Sequence, residues 1–377
     1  MPRPLQATVD MGALASNHAL ARRLAPRAKV LATIKANAYG HGMRRVERAL
    51  LDADGFAVCE IDQAAALRAR ARSARRDRQV LLLEGFFSTR DLLVCSLEGI
   101  SAVVHDIWQV EMLERTRLES PIDVFVKMNT GMNRLGFAPA RFGAAVERLR
   151  SLSAVRSITL MTHFASADED EGVAGQLAVF DAHVAPFGGL RRSLANSAAL
   201  LRYPQTHADC VRPGIMLYGV SPFAGQPAAA LGLRPAMALE SELIAVQSIE
   251  AGQRVGYAGA FRADAPMRVG IVACGYADGY PRHAPTGTPV LVGGRRSRTL
   301  GRVSMDMLAV DLAGLPEAGI GTPVVLWGGA LPVEEVAAAA GTIAYELLCA
   351  LAPRVPVRET FPDTPANPPA VAGAVAT

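Results

Sequence analysis

Eight short apolar runs, separated by helix-like stretches over the first ~220 residues, constrain this chain more than any other feature. They are "KVLATIK" (29–35), "GFAVC" (55–59), "VLLLEG" (80–85), "SAVVH" (101–105), "IDVFVKM" (122–128), "SITLMTHF" (157–164), "RRSLANS" (191–197) and "CVRPGIMLYG" (210–219). Most are β-branched or Leu-rich and lack strict alternation, the pattern of strands buried on both faces. Stretches rich in Ala, Leu, Arg and Glu lie between them, as at 60–76, 107–119 and 139–151. Eight strand–helix units predict a TIM-like (β/α)8 barrel over residues 1–225, whose first few residues pair with a later domain.

Beyond a Pro/Gly/Ala linker at 221–234 the texture changes. Val-rich segments punctuated by Gly and Pro predict a mainly-β C-terminal domain over 226–360, interrupted by one short helix, "VEEVAAAAG". The chain is therefore read as α/β, with residues 361–377, rich in Pro and Ala, as a disordered tail.

In such a barrel, reactive groups belong at the carboxyl ends of the strands. Lys35 ends the first run, and Lys127 lies near the end of the fifth with Arg134 in its loop. His163 lies near the end of the sixth, Asn196 and Ser197 end the seventh, and Arg212, Gly214 and Ile215 fall in the eighth. The chain has 39 Lys+Arg but only three lysines, Lys29, Lys35 and Lys127. Where arginine serves as the generic cation, a retained lysine suggests chemistry that needs a primary amine, which forms a Schiff base and loses its proton near neutral pH. Ser197 offers a hydroxyl, and Gly214 and Ile215 offer backbone N–H groups, after strands seven and eight, where barrel phosphate sites are frequently built. A Schiff-base lysine and a phosphate cradle on one rim describe a pyridoxal 5'-phosphate site. Taken singly, each residue has a plainer reading: a solvated lysine, a buried histidine, a helix cap at "NSAAL", an Arg212–carboxylate pair.

The formal net charge is +4, and the basic run "RARARSARRDR" has no interleaved aromatics, so no nucleic-acid partner is expected. No apolar run approaches the ~20 residues of a membrane span, and "MPRPLQATVD" lacks the apolar stretch of a signal peptide. Five scattered cysteines without a CxxC pair suggest neither a metal site nor a redox motif and fit a reducing cytoplasm.

From about Pro4 to Val357 the chain resembles the bacterial alanine racemases. "KANAYGHG" resembles their cofactor-lysine signature, and "KMNTGMNRLGF", "MTHFASAD", "NSAA", "VRPGIMLYG", "VGYAG", "GYADGYPR" and "SMDM" follow in the family's order. The resemblance implies a fold-type III barrel and β domain, a homodimer with shared active sites, and interconversion of L- and D-alanine by two-base proton transfer. It implies that Lys35 carries pyridoxal 5'-phosphate, with Tyr39, Ser197, Gly214, Ile215 and Tyr345 around its phosphate. Asn196 joins the cofactor-binding set. Arg212 would face the pyridine nitrogen, His163 the ring, and Arg134 the phenolic oxygen and the substrate carboxylate. Tyr257, the second acid/base, and Met305, whose N–H meets the carboxylate, would come from the partner subunit. Tyr276 would line the access corridor. Lys127 matches a position that is carbamylated in some members; a structural ion pair is the alternative. Arg212 would keep the ring nitrogen unprotonated and discourage side reactions, while a cationic network through His163 and Arg212 would favour tyrosinate at Tyr257. A racemase of broader specificity, acting on serine for example, and a non-catalytic cofactor-binding protein remain alternative readings. The β domain with Tyr257 and Met305 counts against the second.

Overall fold

A computed structural model of the chain describes residues 3–361. The expected tail therefore lies, apart from Phe361, outside the described residues. Each of the eight apolar runs overlaps a barrel strand, two of which, Gln79–Leu82 and Val155–Met161, begin one and two residues before their runs; the others are Lys29–Thr33, Gly55–Val58, Ser101–Val104, Ile122–Lys127, Arg191–Ser193 and Cys210–Val211. They pair in parallel in that order. The ring closes where Lys29 and Val30 align with Cys210 and Val211. Inside it, Leu31, Ala57, Leu81, Val103, Phe125, Met161 and Cys210 pack as one cluster, so the barrel centre is a filled core. Helices Ile61–Ser73, Ile107–Arg115 and Pro139–Arg150 coincide with the helix-like stretches and bury their apolar faces against the barrel's outer surface.

The second unit is an eight-stranded sheet. Its long strand, Met237–Ile249, alternates buried and exposed side chains over its first half, as expected for a strand with one face on the core. That strand pairs antiparallel with Pro323–Trp327 and with Met267–Val272. The N-terminal strand Leu5–Asp10 joins this sheet, between Met237–Ile249 and the parallel strand Val357–Thr360, and then leads into the first helix beside the barrel.

Two features depart from the sequence reading. The β domain carries a second helix, Ala344–Cys349, besides Val333–Ala339. It spans only six residues, too few to show a helical period. The first barrel strand also stops at Thr33, before Lys35. Ala36, Asn37, Ala38 and Tyr39 then follow with φ of 51°, 52°, 56° and 51°, a left-handed turn built without glycine. Each such residue costs about 1–2 kcal/mol, so the turn persists because its surroundings impose it.

Candidate active site

The turn after Lys35 is held from two sides. Gly40 lies against Ala344–Cys349, so closely that a Cβ there would sit 1.9 Å from the Leu348 carbonyl oxygen. On the other side, a Cβ on Gly214 would meet the Tyr39 hydroxyl at 2.5 Å. The Tyr39 ring stacks on Tyr218 at 4.7 Å and tilts against Tyr345 at 6.0 Å. Lys35 thereby projects from a fixed base into a cavity of about 370 Å3 at the carboxyl ends of the barrel strands.

Lys35, Tyr39, Lys127, Arg134, His163, Asn196, Ser197, Arg212, Gly214, Ile215 and Tyr345 all line this cavity. Two of the chain's three lysines share it, whereas Lys29 is exposed at the start of the first barrel strand. Asp168 is the single carboxylate in the lining, against the cations Lys35, Lys127, Arg134 and Arg212. The excess positive charge suits an anionic ligand.

At one end the lining forms a cup of hydrogen-bonding groups. Ser197 Oγ accepts from Gly214 N at 2.8 Å and from Met216 N at 3.3 Å. The Ile215 N–H, at the start of a 3-10 turn, has no acceptor among the described residues. The Tyr39 and Tyr345 hydroxyls stand near; burial raises both, Tyr345 to about 12, so each is a neutral donor. Asn196 caps the helix Ser197–Arg202, accepting from Ala199 N at 3.0 Å, and its amide donates to Phe164 O. The "NSAAL" cap is thus real, and Asn196 is its capper, which leaves Ser197 free to turn toward Gly214.

Toward the barrel axis lies Arg212, only 4 % exposed. Its guanidinium donates to Ser193 Oγ at 2.6 Å, Thr162 O at 2.8 Å and Leu194 O at 3.2 Å, and forms no carboxylate pair among the described residues. Burial lowers it to about 10, which still leaves it a cation at neutral pH. Its Nη2 lies 3.5 Å from His163 Nδ1. Because a guanidinium only donates, Nδ1 is the accepting nitrogen and the ring proton sits on Nε2. Burial, and then Arg212 and Lys127, hold His163 well below the ordinary histidine range. This corrects the expected cationic network: the imidazole is neutral, and the positive charge at the site belongs to arginine and lysine.

Lys127 is buried at the end of the fifth strand. Burial and the charges of Arg212, Arg134 and Lys35 lower it to about 8, with Glu84 opposing weakly. No ion pair of Lys127 occurs among the described residues, so the plainer structural reading finds no partner.

Tyr257, Met305 and Tyr276 are absent from the lining; they lie exposed on the β domain. Ala277 N donates to Met305 O and Tyr276 N to Ser304 O, both at 3.0 Å, which brings the Tyr276 and Met305 turns together. Buried Asp278 pins them from below, accepting from Arg3 at 2.7 and 2.8 Å, Arg354 at 2.7 Å and Gly275 N at 2.9 Å. Arg354 also reaches Asp306 at 2.6 Å, beside Met305. Asp168 and Cys349 line the cavity and were given no role from sequence. Asp168 lies in the quoted "MTHFASAD" segment, and Cys349 in the helix too short to be read.

Fold and cavity together define a barrel enzyme that presents amines and a hydroxyl-lined anion cup at its catalytic rim. Residues 9–222 match the family described as alanine racemase, N-terminal domain, and residues 236–359 match alanine racemase, C-terminal domain. An alanine racemase of Nitrosospira multiformis is 56% identical over 360 residues, covering 94% of this chain and 99% of that protein. The catabolic alanine racemase of Salmonella typhimurium is 52% identical over 360 residues, covering 94% and 99%. The crystal structure of the biosynthetic alanine racemase from Pseudomonas aeruginosa superposes with a TM-score of 0.92 at 49% identity, covering 95% of this chain and 99% of that one. An alanine racemase from Bartonella henselae with covalently bound pyridoxal phosphate superposes at 0.83 with 26% identity, covering 95% and 100%. The chain belongs to the alanine racemase family.

Proposed function

We propose that the protein interconverts L-alanine and D-alanine with pyridoxal 5'-phosphate, working as a homodimer in a reducing cytoplasm. One observation carries this reading: two lysines and two arginines surround a single cavity whose far end is a cup of hydroxyls and a backbone N–H without an acceptor among the described residues. That donor set fits the cofactor. Ser197, Tyr39, Tyr345, Gly214 and Ile215 would hold its phosphate, Lys35 its aldehyde carbon, and Arg212 its ring nitrogen. His163 would support the ring, with Asn196 holding the cup through its cap. When bound, the cofactor supplies an electron sink that acidifies the substrate Cα–H.

The chain's own residues supply the rest. Racemisation requires a proton to leave one face of Cα and return on the other. Lys35 Nζ, released when substrate takes its place, serves one face. Tyr257 Oη of a second subunit serves the other, and its exposure on the β domain, away from the chain's own cavity, supports a shared site. Arg212 would donate to the ring nitrogen without giving up its proton, so the cofactor held there would supply only a weak electron sink, which suits reprotonation over side reactions. Arg134 binds the substrate carboxylate with the N–H of Met305 from the second subunit, and Tyr276 lines the approach.

Lys127 is proposed to be a carbamate. Its amine nitrogen attacks CO2, loses one proton to solvent, and becomes an anion that holds Arg134 in place. A buried amine lowered to about 8 supplies the neutral form this addition needs. Five free cysteines support a reducing compartment, and among the described residues no helix is long and apolar enough to cross a membrane.

The test is a chiral assay of the holoenzyme over alanine, serine and larger amino acids, started from each enantiomer. Conversion of alanine in both directions, faster than serine, is expected. Equal turnover of serine would assign a broader racemase; no turnover of any substrate would leave only cofactor binding and overturn the proposal.

A further inference from the structure

A second cavity, larger than the catalytic one, lies outside the catalytic rim. It is a groove of about 890 Å3 between the helices Met43–Ala49 and Ile61–Ser73, closed by Glu359 on the last strand. Six arginines line it against two glutamates, an excess of four positive charges, which equals the formal net charge of the whole chain, +4. The formal charges of the remaining residues therefore sum to zero.

The glutamates do not neutralise this cluster evenly. Glu47 pairs with Arg70 at 2.6 Å, and Glu359 is shared by Arg45 at 3.2 Å and Arg48 at 2.5 Å. Arg44, Arg76 and Arg78 have no carboxylate within ion-pair distance among the described residues. Arg76 and Arg78 instead converge on one carbonyl, Leu51 O, which leaves most of their N–H groups unpaired. Arg78 is the informative member. It is 7 % exposed, lies over the Phe56 ring at 5.5 Å, and is lowered by burial and by the charge of Arg76. A desolvated guanidinium beside a second cation is unfavourable unless an anion shares the site.

We propose that this groove is a binding site for a small anion carrying two or more phosphoryl groups. A single carboxylate or a zwitterionic amino acid would offset only part of an excess of four charges. A diphosphate carries enough charge, and its two phosphoryl groups can each take a planar guanidinium bidentately. The groove also has room for more than one such group. Asn37 lines it, accepting from Met43 N at 3.0 Å, and belongs to the left-handed turn that follows Lys35. An occupant of the groove therefore lies beside the turn that follows the catalytic lysine.

The experiment is calorimetric titration of pyrophosphate into the cofactor-loaded enzyme, whose catalytic cup is already filled, at constant ionic strength. Inorganic phosphate and ADP are parallel arms. Arg44 and Arg76 are exposed, so Arg44→Gln/Arg76→Gln should fold normally. Arg27→Gln/Arg295→Gln, also at exposed arginines, removes the same charge elsewhere. One pyrophosphate per chain should bind, at least tenfold more weakly to the groove variant and within about twofold of wild type for the control pair. ADP binding as tightly as pyrophosphate would show that recognition ends at the diphosphate; tighter binding would extend the site to a nucleoside. An absence of saturable binding, equal losses in both variants, or phosphate binding as tightly as pyrophosphate would overturn the proposal.

Discussion

Replacing Gly40 with alanine tests whether the left-handed turn after Lys35 is imposed by packing. Gly40 has φ +79°, and an added Cβ would lie 1.9 Å from Leu348 O and 2.9 Å from the Leu348 carbonyl carbon. The left-handed conformation costs alanine about 1–2 kcal/mol. The overlap with backbone cannot be relieved by rotating a side chain, so the helix Ala344–Cys349 must move by about 1 Å, at roughly 1–3 kcal/mol. Reduced freedom of the unfolded chain returns about 0.5–1 kcal/mol. The net loss is about 1–4.5 kcal/mol, or roughly 1–6 °C in Tm, since unfolding 377 residues at about 2.1 cal/mol/K each gives about 1.3 °C per kcal/mol. Gly314 is the control: its φ is +72°, but an alanine Cβ there has nothing within 4 Å. Gly314→Ala should cost about 0–1.5 kcal/mol, the conformational part alone. Scanning calorimetry of the cofactor-free proteins measures both. Cofactor affinity provides a second readout, because Tyr39 and Tyr345 ride on the two elements that Gly40 separates. If Gly40→Ala melts with Gly314→Ala and binds cofactor as wild type does, packing does not hold the turn.

Four further outcomes follow from the site. Borohydride reduction of the loaded enzyme should leave the cofactor mass on the peptide containing Lys35, and Lys35→Arg should abolish that adduct and activity together; an adduct on any other lysine refutes the assignment. Arg212→Glu, which places a carboxylate where a non-transferring cation stood, should lower racemisation and raise transamination, whereas wild-type rates of both would make Arg212 merely structural. Exposure to 13C-labelled CO2 should give a carbamate carbon signal that Lys127→Ala removes. At an amine pKa of about 8 roughly a tenth of Lys127 is neutral at pH 7, against about three in ten thousand at the ordinary value of 10.5. If CO2 is excluded, the depressed Lys127 makes the unfolded chain bind more protons between about pH 8 and 10.5, so stability relative to Lys127→Met should rise with pH across that window; a flat difference contradicts the lowered value.

The barrel was legible because each strand is an unbroken apolar run that needs burial on both faces, a local property. The site was legible because strand order assigns the rim: Lys35, Lys127, His163 and Arg212 sit within two residues of their strands' carboxyl ends. What sequence could not convey depends on distant contacts. "KANAYG" carries no periodicity that announces a left-handed turn, and the close contacts around it, at Leu348 and Gly214, lie far along the chain. The pairing of His163 with Arg212 is visible in strand order, but the degree of burial that keeps the imidazole neutral is not. The segment Ala344–Cys349 was too short for periodicity to register, which hid Cys349. Tyr257 and Met305 were found through resemblance alone, because nothing local marks an exposed tyrosine or methionine as half of another chain's site.

The central claim is that the two proton-transfer groups, Lys35 and Tyr257, meet across a subunit interface. Mixing Lys35→Ala with Tyr257→Phe tests it, with subunit exchange verified by mass spectrometry. Each variant alone should be severely impaired. In a hybrid dimer one site receives both defects and the other receives neither, so random mixing, which makes about half the dimers hybrid, should restore about a quarter of the sites. Recovery of racemisation to about a quarter of the wild-type rate is the predicted result. With exchange verified, no recovery would mean that both groups act from the same chain, and the shared-site account would be wrong.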